Sequence, residues 1–262
     1  MKNQTVMVIP CFNEGSRLSI PYFKKLSRIK NTNWVFIDDG SEDNTEILLK
    51  KLSKLRNVDV INLNSNSGKS QAIKAGIQFA VNAYANIEYI GFLDADSAFS
   101  VNDVEEIITT SQNLHEYEAV YSSRVKLAGR DIRRSFKRHI LARIVASIFS
   151  FFWKDIPYDT QSGLKIFRNS KFIRAVFSES FNTRWFIDIE ISIRYAKMMG
   201  RGLNVWEVPV SSWRDVPGSK IGFYESLRVL KEIIYILKNL IRLNNTNVQN
   251  VLVYTKLNKN LS

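Results

Sequence analysis

Asp94-Ala95-Asp96 closes an apolar run, YIGFLDAD, over residues 89–96. Two carboxylates two positions apart, with a small residue between, can share a hard divalent cation. Mg²⁺ or Mn²⁺ takes one or two carboxylates and leaves its other positions to water and substrate phosphates. Such an ion offsets the charge that develops on a departing diphosphate. A second acidic pair, Asp38-Asp39, closes WVFIDDG, and Asn13 and Glu14 follow TVMVIP with its terminal Pro10. Gly68-Lys69-Ser70 reads like the end of a P-loop, but that pattern needs a glycine five positions earlier, where Leu63 stands. The stretch reads instead as a helix start. Ser67 would cap it, and Ala72, Ala75, Gly76, Phe79 and Ala80 follow at helical spacing.

Those polar clusters need a frame that gathers them. Apolar runs at 5–10, 34–40, 58–63 and 89–96 alternate with helical patterns at roughly 16–30, 43–55 and 68–84. Strands alternating with helices imply βαβ units and a parallel sheet, and apolar strands without alternation fit burial on both faces. Ligands of such sheets bind beyond the carboxyl ends of the strands. Three strand ends therefore direct acids and amides at one crevice. The second half differs. Residues 132–153 run from basic to strongly apolar, DIPYDTQSGLKIF reads as a loop, a helix is expected near 186–199, and LNVWEVPVSSW reads as one strand. A last helix is expected over 222–243, with Phe223, Leu227, Leu230, Ile234, Leu237 and Ile241 in one stripe. These elements predict one α/β domain over 1–243, its character changing at about 122–123, with a loosely held tail over 244–262.

The 262 residues are 45% hydrophobic, enough for a sizeable core. A single cysteine, Cys11, and two histidines, His115 and His139, exclude an internal disulfide and a spaced zinc set. The chain reads as having no signal peptide and no membrane-spanning segment. The formal charge of +12 suits nucleic acid, an anionic membrane or a phosphorylated substrate. Its location helps to choose: residues 124–143 hold eight Lys or Arg and one acid, Asp131. The charge flanks apolar segments and no RNA-recognition signature or zinc-finger spacing is present, which argues against a nucleic-acid partner.

IPCFNE, IDDGSEDNT, NSGKSQAIKAG and LDADSAFS, in this order and spacing, resemble the inverting nucleotide-sugar glycosyltransferases of family 2, which have the GT-A fold. SSRV, DIPYDTQSGLKIFR, TRWFIDIEI and VPVSSWRDVPGSKI are similar to the polyprenyl-phosphate sugar synthases, the dolichyl-phosphate β-glucosyltransferases foremost and the mannose synthases next. The resemblance spans about residues 4–235 and implies a nucleotide-sugar half to about 122 and an acceptor- and membrane-facing half from about 123 to 243. It implies a Rossmann-like, mostly parallel sheet flanked by helices, with an amphipathic C-terminal helical extension. It implies that Pro10, Asn13, Glu14, Asp38, Asp39, Lys69 and Asp94 line the donor nucleotide site, with Asp39 accepting from a base N–H. Asp94 and Asp96 would hold the sugar nucleotide and its Mg²⁺ or Mn²⁺. Ala98 departs from the glutamine that mannose synthases often carry there, and the N-terminal anchor of the eukaryotic glucosyl relatives is not read here. Membrane contact is then expected from elsewhere.

A lipid phosphate is anionic near neutral pH and attacks without a strong base, so the enzyme must supply cationic positioning. Arg124 and Lys220 are acceptor-phosphate candidates by the motif match, Arg130 and Arg133 by local charge. Asp159 and Asp188 are assigned to orienting the acceptor and its basic groups. Trp185 and Trp213 read as core rather than as sugar platforms. Residues 140–153 read as a membrane-interface segment, and the upper part of 222–243 as a helix packed on the sheet. The expected activity is transfer of glucose from UDP-glucose to a polyprenyl phosphate at the cytoplasmic face of a membrane. The alternatives are transfer to a sugar hydroxyl in capsule or lipopolysaccharide assembly, and a nucleotide-sugar sensor without catalysis.

Overall fold

The computed structural model describes residues 4–133, 157–214, 216 and 228–243. Lys220, the 140–153 segment, Phe223, Leu227 and the 244–262 tail lie outside the described residues.

In chain order the elements are β1 (Gln4–Cys11), α1 (Ile20–Leu26), β2 (Thr32–Asp38), α2 (Thr45–Leu52), β3 (Val58–Asn62), α3 (Lys69–Ala83), β4 (Ile87–Leu93), α4 (Val101–Asn113), β5 (Ala119–Ser123), β6 (Asp131–Arg133), β7 (Leu164–Arg168), α5 (Lys171–Val176), α6 (Ile187–Met199), β8 (Val205–Pro209) and β9 (Ser212–Arg214). A further helix, α7, covers 228–243. Seven strands form one sheet in the order β3-β2-β1-β4-β7-β5-β8, and β6 and β9 form a two-stranded ribbon. β7 is antiparallel to both neighbours, and all other pairs in the large sheet are parallel. Two reversals restore direction, so β1, β2, β4, β5 and β8 all end at the same edge, and β7 begins there.

Strand side chains alternate between the sheet faces. Met7, Ile9, Trp34 and Phe36 pack with Phe23 and Leu26 of α1, Leu49 of α2 and Ile107 of α4. Val6, Val8, Val35 and Ile37 pack with Ile73 and Ile77 of α3, Ile173 of α5 and Ile191 of α6. Both faces are thus covered, as the unbroken apolar runs require. A third cluster joins Phe186, Ile189 and Ile193 to Ile236 and Leu240 of α7.

Several expectations are corrected. Residues 164–168, read as the end of a loop, form β7 between β4 and β5. The lysine in LKIF disguised the strand: Lys165 is fully buried beside Leu164, Ile166 and Phe167. The expected 16–30 helix is only Ile20–Leu26, because Ser19 caps it and Pro21 sits in its first turn. Ser67 does not cap α3; Gly68 occupies that position at φ 96° without a side-chain cap, and the Ser67 hydroxyl donates to Ser65 O. LNVWEVPVSSW splits into β8 and β9, since Asp103 accepts from the N–H groups of Ser211 and Ser212 and turns the chain into the ribbon. Of the stripe read on the last helix, Leu237 packs in the cluster with α6 but its other described members do not. Leu230, Ile234 and Ile241 are exposed, while Ile236 and Leu240 are buried against α6 rather than the sheet.

α3 lies on β1 and β2 at a distance that only a glycine permits. A Cβ on Gly76 would fall 2.4 Å from Val8 Cγ1 and 3.0 Å from Ile37 Cγ1. Helix propensity alone favours Gly76→Ala by ~1 kcal/mol, whereas overpacking costs about 1–3 kcal/mol. The strand side chains are held on all sides, so overpacking is expected to win. Urea denaturation of Gly76→Ala should show a lower midpoint at unchanged slope.

Candidate active site

The carboxyl edge of the sheet collects the polar clusters on separate strand ends. β1 leads into Asn13, which adopts a left-handed conformation at φ 48°. There Asn13 N–H donates to Ser41 Oγ at 2.9 Å and its side-chain oxygen accepts from Glu42 N–H at 2.8 Å. Glu14 is buried, pairs with Arg17, and donates its N–H to Thr45 Oγ1 at 2.7 Å. Pro10 is half-buried at the end of β1, paired in register with Ile37. Asp38 accepts from Ser41 N–H at 2.9 Å. The loops after β1 and β2 are therefore tied to each other before any ligand arrives.

Asp39 turns the other way. Its two oxygens accept from Ser67 N–H at 2.8 Å and Gly68 N–H at 2.7 Å, at the start of α3. Burial raises its carboxyl above the ordinary value, and these two N–H groups and the charge of Arg184 pull it back. The GKS stretch thus begins a helix anchored on Asp39, and its lysine points at the next strand end. Lys69 Nζ lies 2.5 Å from Asp94 Oδ1. Burial opposes the Lys69 charge, but Asp94 and Asp188 outweigh it and hold the ammonium above its usual pKa.

Asp94 and Asp96 leave β4 together. Asp94 N–H donates to Gly163 O at 2.9 Å. A Cβ on Gly163 would fall 2.1 Å from Asp94 Oδ2, so the missing side chain there makes room for the carboxylate. Asp96 is pushed up to about 6, by burial first and by the Asp94 charge second. The donor set suits a hard divalent ion: two carboxylates, one short of countercharge and one seated in a glycine cradle. No group of three or more His, Cys, Asp or Glu forms a metal cluster among the described residues, so water and substrate oxygens would complete the shell.

The second half of the chain is organised by cations. Arg124 follows β5 and grips Asp159 with two side-chain bonds of 2.7 Å, while its own N–H donates to the same carboxylate at 3.0 Å. Its guanidinium lies 4.9 Å from the ring centroid of Trp213, a buried core residue of β9. Glu207 of β8 accepts from the N–H groups of Tyr158 and Asp159 at 2.7 and 3.0 Å and so fixes the turn that carries the acid. Beneath them Lys165 Nζ meets Asp188 Oδ1 at 2.8 Å and also bonds to Ser162 O. Its ammonium lies 4.9 Å from the Tyr121 ring centroid and 5.6 Å from that of Phe92. Burial pushes both members of this pair toward their neutral forms, and each opposes that for the other.

The remaining candidates lie apart. Arg133 is exposed on β6 and pairs with Asp131, which also holds Arg214. Arg130 is half-buried in the preceding turn, its N–H donating to Leu127 O at 3.2 Å. Trp185 packs in the α6–α7 cluster. Lys165, Glu207, Gly163 and Arg184 are site-building residues that the sequence reading passed over. A lysine inside an apolar strand and a glutamate inside VWEVP were the available signals.

Breaking the Lys165–Asp188 pair should be costly because one charge is left buried alone. Lys165→Met is expected to lose about 3–5 kcal/mol. Lys165→Met with Asp188→Leu should recover much of that loss. Chemical denaturation of both variants checks this; a double variant no better than the single one would exclude charge pairing as the reason.

The site can now be compared with known proteins. The chain is 26% identical over 243 residues to a dolichyl-phosphate beta-glucosyltransferase of Trichomonas vaginalis, covering 88% of this chain and 72% of that one. It is 28% identical over 227 residues to the UDP-N-acetylglucosamine–dolichyl-phosphate N-acetylglucosaminyltransferase of Methanococcus voltae, covering 79% and 84%. Its fold matches that of glucosyl-3-phosphoglycerate synthase from Mycobacterium tuberculosis, solved with Mn²⁺, UDP and phosphoglyceric acid. That match has a TM-score of 0.63 at 16% identity over 91% of this chain and 78% of that one. This is the GT-A fold expected from the motifs. The sequence model for Glycosyl transferase family 2 matches residues 6–181, and the chain belongs to that family.

Proposed function

We propose that this protein transfers a hexose, glucose foremost, from a UDP-sugar to a polyprenyl phosphate, with inversion at the anomeric carbon. The observation that carries this reading is the state of the acceptor-side acids. Asp159 is held by Arg124 and Asp188 by Lys165. Each of these acids is already committed to a buried cation, so neither stands alone as a base aimed at a nucleophile. A hydroxyl nucleophile needs a base; a phosphate oxygen does not. The names of the two dolichyl-phosphate relatives support the same acceptor class.

In this mechanism the loops after β1 and β2 and the Asp39-anchored start of α3 hold the nucleotide. Asp94 and Asp96 would hold the divalent ion that, when bound, offsets the diphosphate charge. Lys69 adds a fixed positive charge on the same side. Arg124, kept in orientation by Asp159 and Trp213, draws the acceptor phosphate toward C1. One phosphate oxygen forms the new bond to C1 as the C1–O bond to the diphosphate breaks, and UDP leaves with the electron pair. A single displacement inverts the centre. Arg130, Arg133 and Lys220 are assigned to the approach of the lipid phosphate.

A lipid acceptor calls for membrane contact at the cytoplasmic face. No helix among the described residues is long and apolar enough to cross a membrane. α7 offers an alternative: Leu230, Ile234 and Ile241 are 54%, 44% and 46% exposed, and Lys231, Lys238 and Arg242 are exposed beside them. Apolar residues flanked by bases suit a helix lying in an anionic interface.

Two experiments follow. With UDP-glucose, Mn²⁺ and a short polyprenyl phosphate, the product should release its sugar in mild acid, as a glycosyl phosphate does. An acid-stable product, or equal transfer to the free polyprenol, would point to a hydroxyl acceptor instead. Arg124→Ala should lower transfer roughly 10²-fold, the scale of a lost charge-assisted contact in a dry site, with little change in UDP affinity. Separately, the protein should sediment with anionic vesicles in a salt-sensitive manner. Leu230→Ser with Ile234→Ser and Ile241→Ser should weaken that binding; unchanged sedimentation would remove α7 from the membrane surface.

A further inference from the structure

The segment 181–185 joins three parts of the molecule. Its backbone N–H groups point at two buried carboxylates. Asn182 and Thr183 donate to Glu190 of α6 at 3.0 and 2.8 Å. Arg184 and Trp185 donate to Glu232 of α7 at 2.9 and 3.0 Å. Glu190 and Glu232 are 1% and 5% exposed, so four successive N–H groups are satisfied inside the protein by acids from two helices. On the other side the segment meets α3: Ser70 Oγ donates to Arg184 O at 3.1 Å and Gln71 Nε2 to Phe181 O at 2.8 Å.

Thus held, the Arg184 side chain runs across the loop before α3. Its guanidinium donates to Asn66 Oδ1 at 2.5 Å. Its stem covers Gly68 so closely that a Cβ there would fall 2.9 Å from Arg184 Cγ. Asp39 grips this loop through the N–H groups of Ser67 and Gly68. The loop is clamped from one side by the acid assigned to the nucleotide and from the other by an arginine. Apolar packing does not do this work alone. A cavity of about 450 Å³ opens in the seam, lined by Ser67, Gln71, Thr183, Arg184, Lys231 and Tyr235 among others. Hydrogen bonds and charge therefore set the position of Arg184.

We propose that Arg184 is a donor-side positioning residue, locking the 65–68 loop and Asp39 for the nucleotide, and that Glu232 makes the last helix part of the donor site. The inference rests on the donor reading given above and deepens it. It assigns the C-terminal helix, far from the nucleotide motifs in sequence, to nucleotide affinity.

Calorimetric titration of UDP with Mn²⁺ tests it, with thermal melting and separate donor and acceptor KM values alongside. Arg184→Ala should weaken UDP binding about tenfold, the scale of one charge-assisted contact. Donor KM should rise by a similar factor, with acceptor KM and melting temperature little changed. Asn66→Ala should act in the same direction, and the double variant should be no worse than Arg184→Ala, since both remove one interaction. Glu232→Gln should raise donor KM although the residue belongs to the C-terminal helix and not to the nucleotide motifs. Unchanged UDP affinity in Arg184→Ala would overturn the inference. So would a fall in melting temperature with both KM values rising together, which marks a merely structural role. Should Arg184→Ala not fold, wild-type UDP affinity in both Asn66→Ala and Glu232→Gln would overturn it equally. A wild-type protein that binds neither UDP nor GDP would remove the donor reading itself, and this inference with it.

Discussion

Charge neutralisation at the carboxyl edge of the sheet is the constraint on which the rest of this structure depends. Parallel strands deliver their last residues to one crevice, and here those residues include several acids. Several of them are buried or half-buried, so each needs a cation or N–H donors. The chain answers with pairs that cross between elements. Asp94 after β4 meets Lys69 of α3, Asp159 meets Arg124 after β5, and Asp188 of α6 meets Lys165 of β7. Every pair joins segments distant in sequence, so electrostatic satisfaction and tertiary closure are the same event.

The neutralisation is uneven, and the unevenness has chemical content. At the end of β4 Asp96 is pushed up to about 6, by burial first and by the Asp94 charge second. In the second half of the chain Asp159 and Asp188 each have a cation partner, and Arg124 also lies against an aromatic ring. A divalent ion suits the first half, an anionic nucleophile the second. Under the proposed reaction these two deficits are what the substrates complete.

The same logic extends to α7. An isolated amphipathic helix at the end of a chain could lie anywhere on the surface. Glu232 removes that freedom, because its carboxylate is buried against two backbone N–H groups of the 181–185 segment. One face of α7 is thereby committed to the interior, with Ile236 and Leu240, and the adjoining apolar face is left exposed.

Sequence by itself determined the alternation of strands and helices in the first half, the acids at their ends and the family. Those features are local: a strand buried on both faces is apolar at most positions, and Asp38-Asp39 and Asp94-Ala95-Asp96 need only follow one. Tertiary structure alone decided the antiparallel place of β7, the burial of Lys165, the bipartite LNVWEVPVSSW segment and the exposed side of α7. It also decided the placement of Arg184, whose partner Asn66 is 118 residues away. The physical reason is that periodicity reports only whether a position is apolar. A lysine in a strand reads as solvent-facing until its carboxylate is known, and a helix with two apolar faces does not say which one is covered. Ion pairs and close approaches between distant segments leave no local period, so they become legible only when the chain has closed around them.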